Sequence, residues 1–336
     1  MTGKLLFSCL LAAALVARAA PESERPHFDL SRPEIRGFID QLVKQDGLER
    51  GQVESLLREA RLRPEVIDSM NRPAEKTLQW WEYRALFLTE KRIEAGAELW
   101  REHRELLDEI AVERGVPPEY LVAITGVETG YGRITGSYRV LDTLMTFAFE
   151  YPRRSDFYRK ELEQYLLLSR EGGIDPLTTL GSYGGAMGAA QFMPSSYRKF
   201  AVDRSGNGQL NLWTDWNDIF ASVANWFVQH GWQAGAPTLA EAHAAADRVP
   251  TVPERIALDQ TLGALRIQGL AVDSPMPDGT AAVLLGAPLE TGMSYRVGFN
   301  NFMVILRYQG SSALYAMAVC DLANAIKARV LADERS

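Results

Sequence analysis

The chain has 336 residues, of which 46% are hydrophobic and 24% charged, with 36 basic against 43 acidic side chains, a net charge of −7 and a pI near 5.3. This is material for about two globular domains, and without a long basic run it offers little to neutralise phosphates, which argues against nucleic acid as a partner. Two cysteines and four histidines exclude a disulfide-stapled scaffold and a metal site of Cys/His type, so carboxylates are the chemistry an enzyme of this composition would use.

Lys4, the apolar run Leu5 to Val16 and the small-x-small pattern Ala17-Arg18-Ala19 predict a secretory signal over residues 1–19. No later stretch approaches the ~18 uncharged apolar residues of a membrane span, so the expected mature protein is soluble and exported. Loss of Lys4 and Arg18 moves the net charge from −7 to −9, and loss of Cys9 leaves Cys320 as the remaining thiol. In a competing reading Cys9, with Leu6 and Ser8 before it, is a lipoprotein anchor. The short apolar segment ahead of Cys9 and the continuation of the run beyond it favour cleavage.

From Ser31 to Arg114 the apolar positions recur at helical steps, as in Ile35, Phe38, Ile39 and Leu42, and in Val53, Leu56 and Leu57. Pro64, Pro73, Gly51 and Gly115 divide this part into several helices. A second helical block runs from Pro117 to about Arg170, followed by a Gly/Ala/Ser stretch, Gly181 to Ser196, and a polar loop, Asp203 to Asp218. Beyond Pro237, prolines break up short apolar runs such as Ala281 to Leu285. Alternation at Tyr295, Val297 and Phe299, and again at Phe302, Val304, Leu306 and Tyr308, predicts a small antiparallel sheet. An apolar helix, Ala313 to about Leu331, closes the chain. The predicted class is mainly α (α+β).

Within the second block, Pro117-Pro118 suits a helix start and Gly130 its end. Glu128 falls in the last turn, four residues after Ile124 and seven after Leu121, on the face that should be buried. Desolvation and the negative end of the helix dipole both favour the protonated carboxyl there, the state a general acid needs for glycosidic cleavage. On position alone a structural ion pair with Arg133 or Arg139 is the commoner reading, because such pairs outnumber catalytic acids.

The wider pattern weighs against that pairing. Gly126-Val127-Glu128-Thr129, Tyr151-Pro152-Arg153-Arg154, Gly181-Ser182-Tyr183-Gly184-Gly185-Ala186-Met187-Gly188, Gln191-Phe192-Met193-Pro194-Ser195-Ser196-Tyr197 and Asn211-Leu212-Trp213 occur in one order at compact spacing. Together with Asn301-Phe302 and Arg307-Tyr308 they closely resemble the membrane-bound lytic transglycosylase B family of bacterial murein-cleaving enzymes. The likeness runs from about His27 to Lys327.

The resemblance implies a lysozyme-like helical catalytic core with a helical flank and a small antiparallel β domain. The expected divisions are a helical segment at 27–115, the core at 116–236 with an EF-hand-like loop at 203–218, a β-containing domain at 237–299, and a return to the core at 300–336. It also implies Glu128 as the catalytic acid/base. Ser182 and Gln191 would orient the carboxyl and bind sugar substituents, Arg153 and Arg154 would hold peptide-stem carboxylates, and Asn301 and, less firmly matched, Tyr308 would complete the substrate-binding set. Each has a plainer reading: the arginines as solvated charges, the Gly184 to Ala190 run as close helix packing rather than room for saccharide, and Trp213, Trp216, Trp226 and Trp232 as core rather than stacking platforms.

A two-carboxylate glycosidase needs a second acid across the scissile bond. Asp142, Asp156 and Asp175 are the neighbours in sequence, none in a motif that suggests catalysis. The family resemblance implies substrate assistance instead, with a 1,6-anhydro product. Asp203, Ser205, Asn207 and Gln209, with glycine sixth, follow the start of an EF-hand loop; Thr214 stands where the closing Glu is expected, and the resemblance offers Asp218 as the closing acid. No cofactor is required by this reading, and calcium would be structural. The expected partners are peptidoglycan glycan strands and cell-wall synthases, the expected state a monomer, and the expected compartment a Gram-negative periplasm. Two alternatives stand beside the transglycosylase: a hydrolytic muramidase and a non-catalytic murein-binding module.

Overall fold

A computed structural model of the protein describes residues 25–71, 78–245, 249–310 and 312–334. The predicted signal segment and Cys9 lie outside the described residues.

The chain opens with α1 (Pro33–Gln45), α2 (Arg50–Arg58) and α3 (Pro64–Met70). Proline starts α1 and α3, where its missing N–H costs nothing, and the Glu49 carboxylate caps α2 by accepting the Gly51 and Gln52 N–H groups. The predicted stripe Ile35, Phe38, Ile39 and Leu42 is the buried face of α1. Then come α4 (Trp80–Phe87), α5 (Glu90–Glu102), α6 (Arg104–Arg114) and α7 (Pro118–Thr129). The strand β1 (Tyr138–Arg139) leads into α8 (Val140–Glu150), a 3₁₀ turn at Pro152–Arg154, α9 (Ser155–Arg170), β2 (Leu180–Gly181), α10 (Pro194–Phe200) and α11 (Trp216–Gln229). The last part holds β3 (Leu239–Ala244), β4 (Gln260–Thr261), α12 (Leu262–Ile267), β5 (Leu270–Val272), β6 (Ala281–Pro288), β7 (Met293–Gly298), α13 (Asn300–Tyr308) and α14 (Ala313–Asp333). The class is mainly α with small antiparallel sheets, as expected.

These elements form two compact units, one made of the described residues up to Asn71 with Gly132–Ile219, the other of those in Ala74–Tyr131 and Phe220–Ser336. In the first unit α8 packs along α9, α3 lies on α8 and α10 on α9. Asp142 on α8 is fully buried there. That carboxylate accepts the Arg61 N–H (2.8 Å), the Arg63 guanidinium through Nε and Nη2 (3.1 and 3.0 Å) and the Arg139 guanidinium through Nε and Nη2 (3.0 and 2.6 Å). Thr146 Oγ1 accepts the Arg63 N–H at 3.0 Å, so the 61–63 segment is pinned to α8.

In the second unit α7 is apolar on all sides and buried from Leu121 to Thr129, as an interior helix must be. The helices α5, α6 and α14 surround it, and α13 packs on α14. The sheet runs β4-β6-β7-β3-β5, with antiparallel neighbours throughout. Leu262, Leu265, Leu270, Leu284, Val297 and Phe299 fill the core between this sheet and α12. Cys320 is a buried free thiol of α14.

The structure corrects one element. Phe302, Val304, Leu306 and Tyr308 alternate in sequence but lie on α13, whose buried set is Asn301, Phe302, Val304, Ile305 and Leu306. A short run that is apolar at nearly every position carries both periods at once, so alternation there cannot distinguish strand from helix. The 203–218 loop also ends earlier than expected, because Asp218 belongs to the first turn of α11.

Candidate active site

The end of α7 is wrapped by its own chain. Gly130, at φ +57, turns into the left-handed region and donates its N–H to Gly126 O (3.1 Å), while Tyr131 N–H reaches Thr125 O (3.0 Å), the usual way a glycine stops a helix. Two residues before Gly130, Glu128 is buried, 6% exposed. The Tyr315 hydroxyl of α14 donates to its Oε1 at 2.6 Å. Burial first, and the charge of Glu128 second, hold the Tyr315 and Tyr308 hydroxyls well above the ordinary phenol range, so both keep their protons, and Tyr315 is the donor to Glu128. Glu128, Tyr308 and Tyr315 thus share one unit. Tyr315 was not singled out from the sequence; its signal was a lone hydroxyl within the apolar run that opens α14.

Asn301 belongs to the same unit and is fully buried. Its Oδ1 accepts the Gln233 N–H (2.8 Å), and its Nδ2 donates to Gln233 O (2.8 Å) and Ala236 O (3.0 Å). The side chain thereby anchors the 233–236 turn.

Ser182, Gln191, Arg153 and Arg154 belong to the other unit. Ser182 closes a tight turn: its N–H donates to Ala186 O (2.8 Å) and its Oγ accepts the Ala186 N–H (3.1 Å). Gln191 sits at φ +51, unusual for a residue with a side chain. Its Nε2 donates to Thr135 O (3.1 Å) and Gly188 O (2.9 Å). Gly136 meets the Gly181–Ser182 backbone so closely that a Cβ would lie 2.0 Å from Gly181 O, so the 135–136 segment is stitched to both turns. Ala186, Ala189 and Ala190 are buried, which makes the small-residue run a close-packed support. The Arg154 guanidinium lies 4.6 Å over the Phe157 ring. Arg153 is exposed and, with Asn71, Tyr151 and Pro152, lines an open cavity of about 530 Å³.

The acids considered as second catalytic groups have other surroundings. Asp142 is held by the guanidinium groups of Arg63 and Arg139, which also commits Arg139 away from Glu128. Asp156 is exposed, and Asp175 accepts the Leu177 N–H in a local turn. Glu161, which the sequence did not single out, is buried and accepts both Ser195 N–H (2.9 Å) and Ser195 Oγ–H (2.8 Å). Burial raises its proton affinity.

The 203–218 loop winds round two carboxylates. Asp203 accepts from Gly206 N–H, Gly208 N–H and Ser205 Oγ–H, and Asp218 accepts the N–H groups of Arg204, Ser205 and Asn211. Asn207 Oδ1 accepts the Gln209 N–H. Trp226 and Trp232 are core residues, while Trp213 and Trp216 are half-buried.

Residues 31–324 match the family model described as the transglycosylase SLT domain. The chain is 38% identical over 305 residues to membrane-bound lytic murein transglycosylase B of Escherichia coli K12, covering 88% of this chain and 83% of that protein. Its fold is similar to the catenated lytic transglycosylase SltB1 of Pseudomonas aeruginosa, with a TM-score of 0.83, 42% identity and coverage of 89% of this chain and 98% of that one. It is also similar to the Escherichia coli lytic transglycosylase Slt35 in complex with calcium, with a TM-score of 0.81, 36% identity and coverage of 93% and 100%.

Proposed function

The chain belongs to the transglycosylase SLT domain family, and we propose that this lytic transglycosylase of peptidoglycan works with Glu128 as its single acid/base. The observation that carries the reading is a carboxyl group 6% exposed in the last turn of α7 with a tyrosine hydroxyl 2.6 Å away. Glu128 gives its proton to the oxygen linking N-acetylmuramic acid to N-acetylglucosamine as the C1–O bond breaks. The 2-acetamido oxygen of the muramic acid stabilises the cationic C1. The Glu128 carboxylate then takes the proton of the same sugar's 6-hydroxyl, O6 bonds to C1, and the acid is restored without consuming water. The attack is intramolecular and gains from high effective molarity.

Tyr315, a permanent donor, orients the carboxyl between these two proton transfers. Ser182, Gln191, Arg153, Arg154 and Tyr308 enter as substrate-binding residues, the arginines toward peptide-stem carboxylates, and Asn301 enters through the turn it anchors. The core is read as 116–236 and 300–336, with the β-containing domain at 237–299. Periplasmic location, by the predicted signal rather than by Cys9, and recruitment by synthases are parts of the same proposal. Among the described residues no helix is long and apolar enough to cross a membrane. A digest of purified sacculi tests the reaction: 1,6-anhydro ends are expected, and reducing ends would replace transglycosylation by hydrolysis.

The 203–218 loop fits a structural calcium ion by its donor chemistry. By the sequence pattern Asp203, Ser205, Asn207, the Gln209 carbonyl and Asp218 would supply the hard oxygens, and backbone N–H groups that bond Asp203 and Asp218 hold the turn between them. Two carboxylates give weak affinity, about 10⁻⁴–10⁻³ M by the range for such modules. Calorimetric titration is expected to show binding in that range and a raised melting temperature, both lost in Asp218→Asn. Neither heat nor a melting shift at millimolar calcium would remove the site.

A further inference from the structure

A buried carboxyl outside the proposed proton transfers ties two elements together. Glu161, in the middle of α9, is 5% exposed and lies on the side of that helix that also buries Tyr158, Leu162 and Tyr165. A carboxyl there loses its water, and well-placed donors must offset that loss. Ser195 of α10 gives two, its N–H at 2.9 Å and its Oγ–H at 2.8 Å. Burial raises the proton affinity of Glu161, while the two Ser195 bonds and the charge of Arg154 act the other way. Ser195 is the second residue of α10, and Met193 before that helix brings no side-chain cap. The carboxyl of α9 therefore does for α10 what an N-cap side chain does elsewhere, accepting a first-turn N–H that the helix itself cannot pair.

The start of α10 is also the end of the loop that carries Gln191. Met187 and Phe192 exchange their N–H···O bonds at 2.9 and 3.0 Å, and the Gln191 N–H reaches Gly188 O at 3.1 Å. At the near end of this loop Gly188 leaves no room for a side chain, since a Cβ would lie 2.4 Å from Leu212 O. The Ala189 N–H bonds that same carbonyl at 2.7 Å. At the far end Phe192 and Met193 run directly into Pro194, the first residue of α10. Gln191 holds φ +51 within the loop, a conformation that persists only where its surroundings impose it. Four residues further on, at Ser195, Glu161 grips the chain.

We propose that Glu161 is a positioning residue for the transglycosylase reaction: by holding Ser195 it fixes the start of α10, and with it the Gln191 loop against which the glycan strand is placed. The inference rests on the reading of Gln191 as a substrate-binding residue. Without the carboxyl, the first turn of α10 loses its cap and the loop can relax from the left-handed conformation at Gln191. The amide is then displaced rather than removed. Sugar contacts made through it weaken alike before and during bond cleavage, so the loss falls on KM and not on kcat.

The test is steady-state cleavage of soluble glycan strands by the full chain, with kcat and KM read separately. Glu161→Leu, which fills the site without an acceptor, is expected to raise KM about tenfold, as the loss of a hydrogen bond to substrate would, and to change kcat by less than about threefold. Glu161→Gln keeps an acceptor for the Ser195 N–H and should recover most of that loss. Gln191→Gly removes the amide at a φ that glycine holds without strain and should raise KM by at least as much as Glu161→Leu. Adding Glu161→Leu to Gln191→Gly should change KM little further, because both act through the same contact. If Glu161→Leu does not fold, Ser195→Ala withdraws one of the two bonds while leaving the charge of Glu161 in place. It should raise KM about threefold, again with little further effect on Gln191→Gly. KM effects that multiply in the double variant, or an unchanged KM with a lowered melting temperature, would mean that Glu161 only packs α9 against α10, and the proposal would be overturned. Gln191→Gly separates the two levels: an unchanged KM there defeats the substrate-binding reading of Gln191 and removes the inference with it.

Discussion

Glu128→Gln is expected to lower murein cleavage by at least the 10²–10⁴-fold that general acid catalysis typically contributes, roughly, while leaving glycan binding intact. The amide keeps the size of the carboxyl and can still receive the Tyr315 hydroxyl bond, but it has no proton to transfer. Both proposed proton transfers pass through this one group, so no residual route through a partner acid is expected. Solubilisation of labelled sacculi measures the turnover, and co-sedimentation with sacculi measures binding. Turnover within tenfold of the parent would remove Glu128 from its role.

Asp142→Ala is expected to have the largest effect on stability, about 3–5 kcal/mol, as is usual when one partner of a buried ion pair is deleted. Asp142 is fully buried and Arg63 is 8% exposed, and the deletion removes the carboxylate shared by the Arg63 and Arg139 guanidinium groups and by the Arg61 N–H. Urea denaturation followed by far-UV dichroism reads the loss. A change below about 1 kcal/mol, the size of an exposed pair, would contradict the burial argument. The paired replacement Asp142→Leu with Arg63→Met should recover much of the loss, because removing both charges removes the desolvation cost as well.

The helical layout and the position of Glu128 were legible because they depend on local periodicity. Leu121, Ile124 and Glu128 share a face in any helix that starts at Pro118, and Gly130 marks its end. Alternation at Tyr295 and Val297 likewise located β7. The same rule misread α13, where Phe302 to Leu306 is apolar at every position and the buried face must be chosen by packing. The bond of Tyr315 to Glu128 and the close approach of Tyr131 to Gly96 join residues far apart in sequence, and no local pattern announces them. Gln191 and Asn301 show an intermediate case. Both entered through the family resemblance, but their amides are engaged by the carbonyls of Thr135, Gly188, Gln233 and Ala236, partners that only the fold supplies. Asp142 shows the converse, since a carboxylate weighed as a catalytic group proves to be the centre of an ion-pair network.

The scarcity of histidine and cysteine pointed to carboxylate chemistry, and among the acids weighed from the sequence, Asp142, Asp156 and Asp175 have other surroundings, while Glu128 is buried with a hydroxyl donor at the end of an interior helix. Transglycosylation needs one such group, whereas hydrolysis needs a second acid to activate water. The products therefore decide. Mass spectrometry of muropeptides released from purified sacculi is the most direct measurement: the account predicts fragments ending in 1,6-anhydro-muramic acid, each one water lighter than its hydrolysed counterpart. Fragments ending in reducing muramic acid would contradict it.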